Sequence, residues 1–173
     1  PMMAAYTSGG STLRYVEYGS GVPVVLRHPT PLNHQYWIPV LAELPGVRAI
    51  VPDLRGHGTS DLGELPVGGF ARVPDAPVLT MAQLAADVLA LLDTLSLESA
   101  VFAGCSIGGY VLLELWRRAP HRMRGLAFVC SKPQPDAEAN LAKCADYSAK
   151  ARAGEIEALF DGMAQGNISA SSR

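Results

Sequence analysis

Residues 99–118 pass from an apolar run, Ser99-Ala100-Val101-Phe102-Ala103, through Gly104-Cys105-Ser106-Ile107-Gly108-Gly109, into a run with helical spacing from Tyr110 to Arg118. A buried strand that becomes a helix within so few residues has to turn sharply. The small residues two before and two after Ser106 are what lets the backbone fold that tightly. The predicted unit is strand, strained turn and helix, with Ser106 at the apex and its hydroxyl outward. The helix that follows points its free N–H groups and its positive dipole end at anything bound there, which suits a developing oxyanion. Ser106 is therefore the candidate nucleophile. A plainer reading stands beside it: glycines and a serine can simply cap a helix after a strand.

The rest of the chain repeats that alternation. Residues 12–18 alternate in the manner of a half-exposed strand until Gly19-Ser20-Gly21 breaks them, and they read as an edge strand. Val22–Arg27, Val47–Pro52 and Met123–Cys130 are mostly apolar, the pattern of strands buried on both faces of a parallel sheet. A loop, His28 to Asn33, and a helix carrying Tyr36, Trp37, Val40 and Leu41 separate the first two; both aromatics read as packing residues. A glycine-punctuated loop, Asp53 to Ser60, and a connecting excursion, 61–79, lead to a helix capped by Thr80, in which Leu84, Ala85, Val88, Leu91, Leu92 and Leu95 recur at helical spacing. Such alternation specifies an α/β fold: an open, mostly parallel sheet covered by helices on both faces. Beyond Ser131 the rhythm stops. Helices are predicted over Ala137–Arg152 and Glu155–Ala164, with no further strand, and Asn167–Arg173 is a small, polar tail of the kind that is usually mobile. The expected division is 1–130 for the sheet-bearing part and 131–173 for the helices and tail.

Composition removes several classes of function. With a formal net charge of −2 and no basic run, the chain is not expected to bind nucleic acid. It has no apolar stretch of membrane-spanning length and no signal-peptide pattern at its N-terminus, so no membrane partner and a cytoplasmic location are expected. Cys105, Cys130 and Cys144 are odd in number and lack metal-type spacing, which fits free thiols; no pair among the four histidines suggests a metal site either. Cys105 invites a redox role, but its place beside Ser106 points the side chain away from the pocket, and it reads as a buried structural thiol.

Four motifs in order resemble the α/β-hydrolase family: His28 to Pro31 after one strand, Asp53 to Ser60 after the next, Gly104 to Gly109 at the elbow, and Ala119-Pro120-His121-Arg122 closing the elbow helix. The resemblance runs from about Thr12 to about Ala164 and is greatest to small esterases, enol-lactonases and perhydrolase-like members. It implies a three-layer fold, a small carboxylic ester or lactone as substrate, no cofactor, and a helical cap beginning near Asp136. It also implies that Ser106 is the nucleophile and that the backbone N–H groups of Ile107 and Thr30 form the oxyanion hole. Pro29 stands where members commonly have glycine; it lacks an N–H, but the donor implied there is Thr30. Asp53, Arg55, His57 and Ser60 match a loop that is chiefly structural in the family.

The family's triad runs serine, acid, histidine along the chain. Here the only histidine after Ser106 is His121, which a helix with a rise of ~1.5 Å per residue puts roughly 22 Å away. Asp136 reads as a surface helix start. His28 is the histidine that could lie near Ser106, as a substitute base or, as the resemblance implies, as a brace for its loop; His34 and His57 read as satisfied loop histidines. The pattern thus stops early, lacking the last strands, and completing it needs on the order of 60–100 residues. Met123–Cys130 is then an apolar parallel edge, expected to be covered by a second copy, a complementing chain or the helices that follow. Two alternatives to ester hydrolysis remain open at this point: a non-catalytic binding or assembly module using Ser106 as a hydrogen-bonding residue, and perhydrolysis or cofactor-free oxidation on the same frame.

Overall fold

The computed structural model describes residues 2–68, 76–167 and 169. They fall into two compact units, Pro1–Pro133 and Gln134–Arg173. The first unit carries a six-stranded sheet. Its strands are β1 (Ala4–Ser8), β2 (Ser11–Tyr18), β3 (Val22–Arg27), β4 (Val47–Pro52), β5 (Ala100–Cys105) and β6 (Met123–Val129), in the order β1-β2-β4-β3-β5-β6. The pairings among β4, β3, β5 and β6 are parallel; β2 runs antiparallel to both β1 and β4.

Residues 12–18 are therefore not an edge. β2 lies inside the sheet, because Ala4–Ser8 folds back on it through Gly9-Gly10 and takes the outer position. Ala-rich sequence carries little strand signal, which hid β1. The tight turn, with φ of 54° and 78° at the two glycines, was the available clue, since a two-residue hairpin of this type needs positive φ at both central positions. Within the excursion 61–79, Val67 and Pro77 form an isolated antiparallel bridge; 69–75 lie outside the described residues, as does the expected tail apart from Asn167 and Ser169.

Strand alternation divides the core into two layers. On one face Val25, Ile50 and Phe102 pack against α2 (Met81–Thr94) and α3 (Ile107–Arg118) through Leu84, Val88, Leu91, Leu92, Val111, Leu112 and Leu115. On the other, Leu26, Ala49, Val51 and Cys105 pack against Trp37. Trp37 belongs to a single 3-10 turn, His34–Trp37, capped by Asn33 and continued by the one-turn α1 (Ile38–Leu41); the helix expected here is that short. β6 ends the sheet, with Leu126 and Phe128 exposed. In the second unit α4 (Glu138–Arg152) and α5 (Ile156–Asn167) are joined at Gly154, and α4 buries no residue.

One side chain in the first layer works against the fold. Arg27, at the end of β3, is fully buried, and among the described residues none of its guanidinium nitrogens has a hydrogen-bond partner; the hydroxyl of Tyr6 is equally unpaired. Burial lowers the Arg27 pKa, with Asp87 and Asp53 acting in the opposite sense. Asp87, however, spends both oxygens on Arg55, at 2.6 and 2.9 Å. A buried charge without a partner is costly, and apolar replacement of buried ionic groups often stabilises. Arg27→Met, similar in length and free of charge, is expected to raise unfolding stability by about 1–4 kcal/mol. A lower urea midpoint for the variant would contradict this.

Candidate active site

β3 and β5 are adjacent and parallel, with Arg27 opposite Gly104, so the loop after β3 and the turn after β5 leave the same edge of the sheet. That pairing brings His28–Thr30 beside Ser106–Ile107. The turn itself is strained: Ser106 has φ 51° and ψ −118°, a conformation that L side chains rarely adopt, and α3 starts at the next residue. The residues two before and two after Ser106 must be glycine. A Cβ on Gly104 would stand 2.5 Å from the Gly108 carbonyl carbon, and one on Gly108 would stand 2.5 Å from the Arg27 carbonyl oxygen. Gly109 is pressed in the same way against the side chain of Ser131. Two hydrogen bonds tie the turn to β6 and its exit: Ser106 N–H donates to the Val129 carbonyl (3.2 Å), and the Ser131 hydroxyl donates to the Ser106 carbonyl (2.9 Å). The sequence carries no sign of this role for Ser131, which follows an apolar strand as any loop serine would.

The Ser106 side chain caps nothing and is half-buried. This removes the plain capping role weighed from sequence, because a capping serine accepts from an N–H of the first turn. The Ile107 N–H, at the start of α3, has no intrahelical acceptor by the geometry of a helix start. Thr30 is exposed; its hydroxyl donates to His57 Nε2 at 2.9 Å, while His57 Nδ1–H donates to the Arg55 carbonyl at 3.1 Å. Neither Thr30 N–H nor Ile107 N–H has a protein acceptor among the described residues.

His28 is fully buried and spends both ring nitrogens on the backbone: Nδ1–H donates to the Pro29 carbonyl (3.0 Å) and Nε2 accepts from Leu54 N–H (2.9 Å). Burial, with a contribution from the Arg27 charge, brings its pKa down to about 4. A base must have a free nitrogen facing the proton it takes. His28 has none and therefore braces two loops; the substitute-base reading is set aside. His121 lies in the 3-10 turn Pro120–Arg122, at the opposite end of α3 from Ser106. Asp53 is buried too. Its Oδ1 accepts from the His34 N–H and from His34 Nδ1–H, each at 2.8 Å, and its Oδ2 accepts from Thr59 N–H at 3.0 Å. Burial opposes that charge, but these hydrogen bonds outweigh it and hold the carboxyl below its usual range. Ser60 closes the same loop, donating to the Asp53 carbonyl and accepting from Arg14 N–H. His34, Asp53, His57 and Ser60 thus fasten the Asp53–Ser60 loop to its surroundings, as a structural loop requires.

A shallow hollow of about 380 Å³ lies between α3 and β6, lined by Leu113, Trp116, Met123, Arg124, Gly125 and Leu126. None of these is at the elbow. Among the described residues no group of three His, Cys, Asp or Glu side chains could hold a metal ion, and no helix is long and apolar enough to cross a membrane.

A mostly parallel α/β sheet with a strained serine turn between β5 and α3 defines a class of protein, and comparison with known sequences identifies the family. Residues 22–164 match the family model described as alpha/beta hydrolase fold, and the chain belongs to that family. It is 38% identical over 109 residues to the AB hydrolase superfamily protein YisY of Bacillus subtilis, a match covering 62% of this chain and 36% of that protein. Among solved structures, an esterase from Thermogutta terrifontis superposes with a TM-score of 0.72 at 28% identity, covering 88% of this chain and 54% of the esterase. Est816, described as an N-acyl homoserine lactone degrading enzyme, superposes with a TM-score of 0.71 at 30% identity, covering 98% and 59%. The chain thus spans about a third of YisY and a little over half of the two solved structures.

Proposed function

We propose that this chain carries the nucleophile half of a serine hydrolase for small carboxylic esters or lactones. The observation that carries the reading is Ser106 itself, held at φ 51° on a turn that only glycines on either side permit, with the N-terminus of α3 directly behind it. In this scheme the Ser106 hydroxyl attacks the acyl carbon, and the N–H groups of Ile107 and Thr30 receive the charge that develops on the carbonyl oxygen. His57, bonded to the Thr30 hydroxyl, positions that loop. Ester and lactone chemistry is drawn from the two solved structures above, one titled an esterase and the other a lactone-degrading enzyme.

The general base and its acid are not among these 173 residues in this reading, since His28 is committed to the backbone and His121 is at the far end of α3. The same observation favours a second reading, a non-catalytic module that binds a small molecule at the elbow. A fluorophosphonate probe separates them. Ser106-dependent labelling is expected, slow because oxyanion stabilisation and binding alone leave roughly 10³–10⁴-fold acceleration when a triad is cut. The comparison is with Ser106→Ala, read by intact mass of every polypeptide present. Identical behaviour of the two proteins would move the reading to the binding module.

A further inference from the structure

Beside the elbow lies a pair of sulfurs that the proposed hydrolysis does not use. Cys105 ends β5, immediately before Ser106, and is buried; Cys130 follows β6 and is exposed. In the parallel pairing Cys105 stands opposite Val129. If β6 continued as regular strand, the residue after Val129 would face the other side of the sheet from Cys105. Cys130 instead has φ 47°, and this left-handed residue breaks the alternation. Its side chain is close enough to the Cys105 thiol to act on that thiol's ionisation. The Tyr36 hydroxyl lies 3.2 Å from Cys105 Sγ. Neighbouring strands are ~4.8 Å apart with a rise of ~3.3 Å per residue, so two residues offset by one position have Cα atoms about 5.8 Å apart, in the middle of the range a disulfide spans.

We propose that Cys105 and Cys130 are a dithiol that closes to a disulfide on exposure to a hydroperoxide, clamping the base of the elbow to the exit of β6. The exposed sulfur reacts first. Cys130 thiolate attacks one peroxide oxygen; the S–O bond forms, the O–O bond breaks, and the alcohol or water leaves after taking a proton. Cys105 sulfur then attacks the sulfenic sulfur of Cys130, the S–S bond forms, the S–O bond breaks, and the departing hydroxide takes the Cys105 proton as water. Two thiols lose two electrons and the peroxide gains them. Burial pushes the Cys105 thiol up, so it is the poorer first nucleophile and the natural resolving partner. The link would run alongside the hydrogen bonds from Ser106 N–H to the Val129 carbonyl and from the Ser131 hydroxyl to the Ser106 carbonyl, and so would fasten the turn that carries Ser106.

The test does not depend on hydrolysis and is independent of the serine-hydrolase reading. Cys144→Ser removes the third thiol, which lies in α4, and leaves the pair as the only cysteines. Folded Cys144→Ser protein is treated with hydrogen peroxide, alkylated and mapped by mass spectrometry. The expected result is loss of the mass of two hydrogen atoms, a peptide linking Cys105 to Cys130, and full reversal by dithiothreitol. Adding Cys105→Ser should remove the link and drive Cys130 on to sulfinic acid. Over-oxidation of Cys130 with Cys105 still alkylatable in the Cys144→Ser protein, or a link between two molecules, would overturn the proposal.

Discussion

Replacing Asp87 by asparagine is expected to cost the fold about 3–5 kcal/mol, much of the total stability of a small domain. Asp87 is buried in α2, on the face that packs against the sheet. It accepts from Arg55 Nη2 at 2.6 Å and Nε at 2.9 Å, and from Gln83 Nε2 at 3.2 Å. The same guanidinium donates to the Ser11 hydroxyl at 2.6 Å and to the Ser8 carbonyl at 2.9 Å. One ion pair therefore joins α2, the loop after β4 and the β1–β2 hairpin. Asparagine keeps the shape and removes the charge, leaving the buried Arg55 without the carboxylate that accepts from its Nε and Nη2. Urea unfolding of Asp87→Asn at neutral pH checks the size of the loss, and a change below about 1 kcal/mol would show that the pair holds little. Arg55→Met in the same background should recover most of the loss, because replacing both partners of a buried pair is far cheaper than orphaning one.

Acid is expected to destabilise the protein well before its carboxylates titrate. His28 has a folded pKa of about 4 against 6.5 for an ordinary imidazole, because it is buried and its Nε2 accepts the Leu54 N–H. The unfolded chain thus binds the proton more readily than the folded one. Stability from this residue is full above pH 6.5, falls as pH drops towards 4, and is gone below that. A difference of this size corresponds to about 3 kcal/mol. Asp53, whose carboxyl is held low by its hydrogen bonds, adds a loss at still lower pH, complete only below its folded pKa. Unfolding free energy measured between pH 7 and pH 4 should decline with a slope approaching one proton. His28→Gln, unable to titrate, should flatten the curve over that window at some cost in stability at pH 7. A wild-type curve that is flat from pH 7 to pH 4.5 would contradict the buried neutral histidine.

Sequence pattern was most informative where one physical requirement acts over short range. The strand, turn and helix around Ser106 are legible because a backbone this tight excludes any Cβ at Gly104 and Gly108, and few other sequences meet that demand. The helix Met81–Thr94 is legible from the recurrence of Leu84, Val88, Leu91 and Leu92. Asp87 was overlooked although it stands three after Leu84 and four before Leu91, within the apolar stripe; a polar residue at such a position is itself the sign of a buried partner. β1 was missed because Ala4 and Ala5 give no strand pattern of their own, and its pairing with β2 is what makes them extended.

The amino-acid order alone determined the α/β class, the position of the strained serine turn and the family, since periodicity, glycine placement and motif order are local properties of the chain. The tertiary structure decided what those residues are free to do. His28 is adjacent to the elbow in space, as strand order suggested, but its Nε2 accepts from Leu54 N–H of the Asp53–Ser60 loop and its Nδ1–H donates to the neighbouring Pro29 carbonyl, so neither nitrogen is free. Arg27 ends an apolar strand and yet has no hydrogen-bond partner for its guanidinium among the described residues, and Asp87, whose charge acts on it, is bonded to Arg55. Cys105 and Cys130 are 25 positions apart in sequence and become near neighbours because β5 and β6 pair in parallel, with Cys105 opposite Val129. In each case the deciding quantity is which neighbour reaches a side chain first, and that is set by the sheet and not by sequence distance.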